Sequence, residues 1–227
     1  METINKNWQA LQERIARAAQ QVDRDPEEIA VIAVTKTRSA EQVDAAIASG
    51  LTLVGENRVQ ETETKKNQVR GQAQWHLIGP LQRNKASKAA ALFDVVQSVD
   101  STRLADALNR HAGELQRRLD VLVQVNTSGA VQQGGVDPLE VQPLAAHIAD
   151  LQHLRFQGLM TIGAHTNEEA QIRACFCRLR QLGAELETAG AEMRYLSMGM
   201  SGDFELAIAE GANMLRLGTI IFSPRPS

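Results

Sequence analysis

The chain has 227 residues, of which 43% are hydrophobic and 22% charged, with a formal net charge of −3 and a pI near 6.0. These values are typical of a globular protein, and they disfavour a nucleic-acid partner or binding to an anionic membrane. The basic segment 64–67 is interpreted as a solvated helix face. The start of the chain lacks the apolar core of a signal peptide, and no apolar run has the length of a membrane span.

The two cysteines offer neither a disulfide nor a zinc site. Cys175 and Cys177 lie two residues apart in a helical pattern, where they cannot bridge each other, and no companion pair of cysteines exists. We therefore expect reduced thiols, no metal and a cytoplasmic protein.

The first elements precede the regular part of the chain. Apolar side chains at helical spacing over residues 3–20 predict a lead-in helix with one apolar face. Asp25-Pro26-Glu27-Glu28 has the pattern of an N-cap followed by a first-turn proline. The apolar run 31–35 then predicts a strand that is buried on both faces and ends at Lys36. Ser39 follows with the capping-box pattern of a helix start.

Strands and helices alternate from there to the end of the chain. Strands are predicted at 31–35, 51–54, 75–78, 95–99, 121–125, 154–161, 194–197 and 213–217. Helices are predicted after every strand but the last, at 39–49, 58–69, 81–92, 102–115, 137–150, 166–187 and 203–210.

Strict alternation of this kind implies an α/β fold with a parallel sheet. Eight such units in this length predict a single (β/α)₈ TIM-type barrel with an extra N-terminal helix, as one domain over residues 1–227. The alternative is an open doubly wound sheet. Its dinucleotide-binding version is disfavoured because no G-x-G-x-x-G motif follows the first strand.

Lys36 lies at the carboxyl end of the first predicted strand, immediately before a strand-to-helix loop. In a barrel, the carboxyl ends of all strands open on the same face, where active sites collect. A solvated lysine that simply closes the strand is the alternative, and the position alone leaves both interpretations open.

The loops after the last two predicted strands have the composition of a phosphate site. Gly199, Ser201 and Gly202 lie before a helix start, where N–H groups are unpaired, a hydroxyl adds a donor and the helix dipole favours an anion. Gly218-Thr219 offers a second glycine and hydroxyl, and these two loops commonly bind phosphate in barrel enzymes. Alternatively, the glycines serve tight turns alone.

A phosphate site that faces Lys36 narrows the class of ligand. A lysine amine in a desolvated pocket can attack an aldehyde and form a Schiff base. Pyridoxal 5′-phosphate (PLP) supplies both the aldehyde and the phosphate, and a phosphosugar aldolase would use the same two features. Arg216 favours PLP, because an arginine or aspartate typically partners the pyridine nitrogen of this cofactor.

Six blocks of residues, in the same order along the chain, resemble the PLP homeostasis protein family, which is related to the barrel domain of alanine racemase. The blocks are Ala33–Lys36, Gly55–Glu61, Trp75–Lys85, Gly158–Thr161, Leu196–Ser201 and Arg216–Thr219. The resemblance covers essentially the whole chain. It implies a monomer or weak dimer that holds PLP without a known reaction of its own, in vitamin B6 homeostasis, with PLP-dependent apoenzymes as candidate partners.

The resemblance also implies a role for each matching position. Lys36 forms the Schiff base, and Arg216 faces the pyridine nitrogen. His76 matches as well and is interpreted as a rim histidine packed for structure. The remaining matches are Ser201, Gly218 and Thr219 around the phosphate, and Asn57 and Met200 along the ring.

Two positions depart from the family pattern. Gly202 stands where the family has the first aspartate of Ser-Asp-Asp, which favours an anion electrostatically but loosens the loop. Ser223 stands where a glycine is expected. We therefore expect phosphate affinity to be the property of the site that differs most from the family.

An amino-acid racemase needs a base on each face of the cofactor, and Lys36 supplies only one. The racemases draw the other from a tyrosine in a second β domain, which we expect to be lacking because the sequence ends at Ser227 soon after the last strand. The single tyrosine, Tyr195, is predicted at the start of the seventh strand, away from the rim. An arginine opposite the pyridine nitrogen also does not readily donate a proton. We expect a PLP carrier without catalytic residues; the alternatives are a racemase-like enzyme and a Schiff-base aldolase.

Overall fold

The predicted barrel is confirmed. The computed structural model describes residues 2–222, and eight parallel strands close in the order β1 to β8, with β1 paired to both β2 and β8. The strands are β1 (Ala30–Val34), β2 (Leu53–Glu56), β3 (Gln74–Leu77), β4 (Val95–Val99), β5 (Leu119–Gln124), β6 (Leu154–Met160), β7 (Tyr195–Ser197) and β8 (Met214–Leu217).

Helices lie around the outside of the barrel. They are α1 (Glu2–Gln20), α2 (Ala40–Ala48), α3 (Val59–Lys66), α4 (Ala86–Leu92), α5 (Thr102–Glu114), α6 (Val141–Ala149), α7 (Glu169–Thr188), α8 (Phe204–Ala209) and α9 (Thr219–Phe222). Helices α2 to α8 connect successive strands, whereas α1 precedes β1 and α9 follows β8. Short 3₁₀ turns precede three elements, at Pro26–Glu28, Arg83–Lys85 and Pro138–Glu140. Within residues 2–222, no helix is both long and apolar enough to cross a bilayer.

The extra N-terminal helix is also confirmed. Helix α1 buries an apolar face that includes Leu11 and Ile15, as its helical spacing requires. Its polar side reaches α8, where Arg14 forms an ion pair with Glu205 at 2.5 Å. Helix α1 therefore closes the side of the barrel on which the last strands and helices lie.

Some predicted element boundaries are wrong. The helix predicted to start at Thr166 begins at Glu169, because the Thr166 hydroxyl accepts the N–H of Glu168 in a turn before the helix. The helix predicted over 58–69 already ends at Lys66. The last strand, predicted to lack a helix, is followed by the four-residue helix α9. Ser223 lies outside the described residues.

The core has two parts of different composition. The larger part lies between the sheet and the helices and is apolar. The smaller part lies inside the barrel, where Val95, Leu122 and Met160 form a cluster against which Tyr195 packs. Buried polar side chains occupy other interior positions of the barrel. The rim at the carboxyl ends of the strands is therefore built above a partly polar interior.

Candidate functional site

A cavity of about 440 Å³ opens at the carboxyl ends of the strands. Gly199 of the predicted phosphate loops does not line it, but the seven residues assigned to the cofactor do: Lys36, Asn57, Met200, Ser201, Arg216, Gly218 and Thr219. Its other lining residues are Val34, Thr37, Arg38, Ile78, Ile162 and Gly202. The predicted residues thus come from β1, β2, β7 and β8 and meet in one place.

Lys36 extends from a tight turn directly after β1. The turn is closed by the N–H of Arg38, which donates to the carbonyl of Thr35 at 3.0 Å. Thr37 adopts a φ of 63°, a left-handed conformation that is costly for a β-branched residue. The Lys36 side chain is exposed, and within residues 2–222 no hydrogen bond or ion pair reaches its amine. The amine is therefore free to meet a ligand in the cavity.

A buried ion pair supports this turn from outside the barrel. Glu56, at the end of β2, is fully buried and lies 2.5 Å from the Lys65 amine on α3. The same amine donates to the carbonyl of Thr35 at 2.7 Å, and the Thr35 hydroxyl donates to Glu56 at 2.7 Å. The interpretation of segment 64–67 as a solvated helix face is therefore wrong for Lys65, whose side chain is 11% exposed.

Lys66, the next residue, is not a simple solvated lysine either. Its amine donates to the carbonyl of Leu92 at 2.6 Å and lies over the ring of Trp75. Burial lowers the pKa of the Lys66 amine from its ordinary value. Both lysines hold α3 to its neighbours through their amines.

Arg216 enters the cavity from β8 and is only 4% exposed. Its guanidinium donates to the Ser197 hydroxyl at 2.8 Å and to the carbonyl of Thr161 at 2.7 Å. Burial lowers the pKa of Arg216 to about 10, and the nearby Asp203 carboxylate acts in the opposite direction. Arg216 therefore remains a cation at neutral pH and offers only donors to a ligand.

The polar contacts of Arg216 continue into the barrel. The Ser197 hydroxyl donates to the Gln97 carbonyl oxygen at 2.7 Å, and the Gln97 amide lies 2.9 Å from Nδ1 of His76. The placement of His76 at the rim is wrong: it does not line the cavity but lies inside the barrel, 1% exposed. Burial lowers its pKa to about 3, so the ring is neutral at physiological pH.

The predicted phosphate loops face the cavity beside Arg216. The Ser201 hydroxyl accepts the N–H of Gly218 at 3.3 Å, which joins the two loops. Thr219 begins α9, where the first N–H groups have no partner within the helix. Helices α8 and α9 have only six and four residues, so donors rather than a long helix dipole must provide the attraction for an anion.

Packing explains two of the glycines in these loops, Gly199 and Gly218, but not Gly202. A Cβ at Gly199 would lie 2.5 Å from the Ala207 Cβ, and a Cβ at Gly218 would lie 3.2 Å from the Val34 carbonyl oxygen. Packing alone therefore favours glycine at these two positions, as the tight-turn alternative expects. A Cβ at Gly202 would meet no heavy atom within 4 Å. The hydroxyls of Ser201 and Thr219 are the more specific part of the anion prediction.

One carboxylate lies close to the predicted phosphate loops. Asp203 accepts the N–H of Met200 at 2.5 Å, which fixes the loop between β7 and α8. Burial raises the pKa of Asp203, while the Met200 N–H and the Arg216 charge act to lower it. The Asp203 carboxylate therefore repels any anion that binds near Arg216.

The last two predicted residues, Asn57 and Met200, border the cavity from the loops after β2 and β7. Asn57 follows β2, and its backbone lies so close to Gly79 that a Cβ there would be 2.3 Å from the Asn57 carbonyl oxygen. Met200 is 39% exposed at the opening. The close backbone contact fixes Asn57 relative to β3, whereas Met200 lies at the edge where solvent meets the cavity.

Three comparisons with known proteins agree. Residues 6–226 match the family described as "Alanine racemase, N-terminal domain". A "Pyridoxal phosphate homeostasis protein" of Pseudomonas aeruginosa is 40% identical over 99% of this chain and 97% of its own length, and one of Vibrio alginolyticus is 38% identical over 99% of both. The structure of PipY from Synechococcus elongatus, with PLP bound, has a TM-score of 0.81 and 38% identity, and the match covers 92% of this chain and 100% of PipY.

These matches confirm the resemblance that the six sequence blocks indicate. The chain belongs to the family of pyridoxal phosphate homeostasis proteins, within the larger family of the alanine racemase N-terminal domain.

Proposed function

We propose that this protein binds PLP in the cavity at the carboxyl ends of the strands and acts in PLP homeostasis. PLP supplies an aldehyde that attaches to a primary amine, a phosphate group and a pyridine nitrogen. The cavity presents a separate partner to each. The observation that supports the proposal most is that Lys36, Arg216 and the hydroxyls of Ser201 and Thr219 line one cavity of about 440 Å³.

The residues present fit the proposed cofactor at each of its polar ends. The Lys36 amine has no partner within residues 2–222, so it is available to the aldehyde. Arg216 remains a cation and donates hydrogen bonds, which suits an unprotonated pyridine nitrogen. Ser201 and Thr219 supply hydroxyl donors for the phosphate, with the first N–H groups of α9 beside them. Val34, Ile78 and Ile162 provide apolar walls for a flat ring.

We propose that the protein acts as a carrier rather than as an efficient enzyme. Among the described residues that line the cavity, none is an aspartate, glutamate, histidine, cysteine or tyrosine. Tyr195 lies at the start of β7, packed against the apolar cluster inside the barrel. The names of the curated relatives support the same role. PLP-dependent apoenzymes in the cytoplasm are the proposed recipients, and the proposed assembly is a monomer or weak dimer.

Trapping with borohydride tests the attachment point. The protein is loaded with PLP, reduced, digested and mapped by mass spectrometry, and a pyridoxyl group is expected on Lys36. The Lys36→Ala variant, treated in the same way, should retain none at that peptide and should lose the absorbance of the bound cofactor. Modification confined to Lys85 or Lys88 in the wild-type protein would contradict the proposal.

An alanine incubation separates a carrier from a racemase. Racemisation needs proton delivery on both faces, and general acid–base help of that kind is worth about 10²–10⁴-fold in rate. Chiral chromatography of L-alanine incubated with the loaded protein should find no sustained formation of D-alanine. Formation at enzyme-like rates, abolished by Lys36→Ala, would replace the carrier by a racemase.

A further inference from the structure

A chain of buried hydrogen bonds crosses the barrel interior beneath the cavity. It starts at Arg216 on β8 and passes through Ser197 on β7, Gln97 on β4 and His76 on β3. It ends at Gln74, whose carbonyl oxygen lies 3.3 Å from Nε2 of His76. Gln97 and Ser197 are completely buried, whereas Gln74 is exposed at the amino end of β3. Nothing in the proposed binding of PLP requires a polar chain of this length.

We propose that Gln97 and Ser197 are positioning residues that fix the direction in which Arg216 presents its N–H donors to the cavity. Arg216 is the starting point because a guanidinium only donates, so Ser197 must accept from it. The Ser197 hydroxyl then turns its own hydrogen away from the cavity, to the carbonyl oxygen of Gln97. Two of the five donors of Arg216 are occupied in this way and by Thr161.

The orientation of the Gln97 amide follows from its neighbours. Its nitrogen lies 2.9 Å from Nδ1 of His76 and 3.2 Å from the sulfur of Met214, and both atoms can accept a hydrogen bond. With the amide turned over, the carbonyl oxygen would face the Met214 sulfur, and the Ser197 hydroxyl would lose its acceptor. Only the first orientation gives every buried donor an acceptor, as buried polar groups require.

His76 ends the buried part of the chain as a neutral ring. Since its Nδ1 accepts from Gln97, its Nε2 carries the hydrogen and donates to Gln74. Each link therefore donates in the same direction, away from Arg216, and successive bonds of this kind strengthen one another. The guanidinium of Arg216 is therefore fixed by hydrogen bonds to uncharged groups, and the Asp203 carboxylate acts on it through its charge.

The consequence for a ligand rests on the proposed function. If Arg216 donates to the pyridine nitrogen, the wild-type protein should prefer PLP to its deaza analogue, in which C–H replaces that nitrogen. A hydrogen bond to a charged group corresponds to about tenfold or more in affinity. Gln97→Met removes the amide but keeps the length of the side chain. It should lower the ratio of the affinity for PLP to the affinity for the deaza analogue toward one. A merely structural loss would weaken both compounds equally and leave the ratio unchanged.

Three variants and two measurements decide the question. Affinities for PLP and deaza-PLP are measured for the wild type, Gln97→Met, Ser197→Ala and the control Gln74→Ala, whose exposed position water can fill. The guanidinium N–H signals of Arg216 are followed by NMR in the cofactor-free proteins. Resolved signals are expected in the wild type and in Gln74→Ala, and exchange-broadened signals in the other two. Ser197→Ala serves if Gln97→Met does not fold.

Each outcome has one interpretation. A wild-type affinity ratio and wild-type Arg216 signals in Gln97→Met and Ser197→Ala would overturn the positioning role while leaving PLP binding intact. If the wild-type protein binds neither compound, the proposed function fails, and the NMR comparison still decides whether Gln97 and Ser197 hold Arg216.

Discussion

Of the three described cationic residues that line the cavity, Lys36, Arg38 and Arg216, the first and the last are held in opposite ways. Lys36 extends from an exposed turn, and within residues 2–222 its amine has no partner. Arg216 is 4% exposed and hydrogen-bonded to Ser197 and Thr161. The proposed tasks explain the contrast: an attacking amine must reach its target, whereas a recognition group works best when its donors are fixed in advance.

The supports behind the two cations also differ in chemistry. The Lys36 turn rests on the ion pair of Glu56 and Lys65, which lies outside the barrel between the sheet and α3. Arg216 rests on neutral side chains inside the barrel, beginning with Ser197 and Gln97. An ion pair supports the exposed group, and hydrogen bonds between uncharged side chains support the buried one. Each support can be broken separately.

The largest effect is expected from breaking the ion pair. Glu56→Gln leaves the Lys65 ammonium buried without its counter-charge, and loss of one partner of a buried pair costs about 3–5 kcal/mol. Urea denaturation measures the free energy of unfolding. The matched control is Glu63→Gln, which removes the partner of Lys88 at nearly the same distance, 2.6 Å, but in a pair whose side chains are about half exposed. That change should cost less than about 1 kcal/mol.

A double variant sharpens the interpretation of the ion pair. Replacing both partners, in Glu56→Gln with Lys65→Met, should recover most of the lost stability, because no unpaired charge remains buried. The Thr35 carbonyl still loses the Lys65 amine. An equal, small cost for Glu56→Gln and Glu63→Gln would show that the buried pair does not support the turn.

The next largest effect is expected on PLP affinity, when a hydroxyl is removed from the predicted phosphate loops. Thr219→Val removes a hydroxyl from the cavity, and a lost hydrogen bond to a charged group costs roughly 1.5–3 kcal/mol. PLP affinity should therefore fall about tenfold or more. At saturating PLP, borohydride should still trap the cofactor on Lys36. Thr64→Val on α3 is the control with no expected change, and an unchanged affinity in Thr219→Val would remove Thr219 from the site.

The buried and neutral ring of His76 predicts that the stability of the protein depends on pH. The pKa of His76 is lowered to about 3 by burial, so between pH 6.5 and 3 the unfolded chain binds a proton that the folded protein does not. Stability should therefore fall as the pH drops below 6.5. The contribution of His76 should reach about 2 kcal/mol at pH 5, since each pH unit in this window corresponds to about 1.4 kcal/mol.

The comparison with His76→Gln isolates this effect from other titrating groups. The difference in free energy of unfolding between wild type and variant should change with pH only below about 6.5. A difference that stays constant down to pH 5 would mean that His76 is protonated in the folded protein.

The smallest effect is expected in the strained turn. Thr37→Gly relieves a left-handed conformation worth about 1–2 kcal/mol, but the entropy of glycine offsets roughly 0.5–1 kcal/mol of this. Unfolding experiments should therefore find a net stabilisation between about 0 and 1.5 kcal/mol. Thr37→Ala keeps the strain and should lack the gain. Destabilisation by glycine would indicate that the threonine side chain contributes contacts that outweigh its strained backbone.

The barrel and five of the seven cavity residues were predictable from regular features of the sequence, whereas Asn57 and Met200 follow only from the family resemblance. Alternating apolar strands and helices imply a parallel sheet, and the carboxyl ends of parallel strands meet at one face. Residues as distant in sequence as Lys36 and Arg216 can therefore be placed together without knowledge of their contacts. Patterns along the chain were sufficient for both.

The contacts that support the Lys36 turn and Arg216 could not be predicted from patterns along the chain. Lys65 has the sequence context of a solvated lysine, and only the position of α3 against β2 brings its amine to Glu56. Gln97 was visible as a polar residue within an apolar strand, which is a signal of a buried hydrogen bond. Its partners lie across the barrel, on β3 and β7. The positive φ of Thr37 has no signal in its residue type.

Gly202 has a consequence for how long a ligand stays bound. The position borders the cavity, and a Cβ there would meet no heavy atom within 4 Å. A residue with a side chain can therefore stand at this position without a clash at its Cβ. A carboxylate would repel a bound phosphate and shorten its residence time, whereas the present glycine favours retention. We therefore expect the residence time of a bound phosphate to depend on the charge carried at this one solvent-facing position.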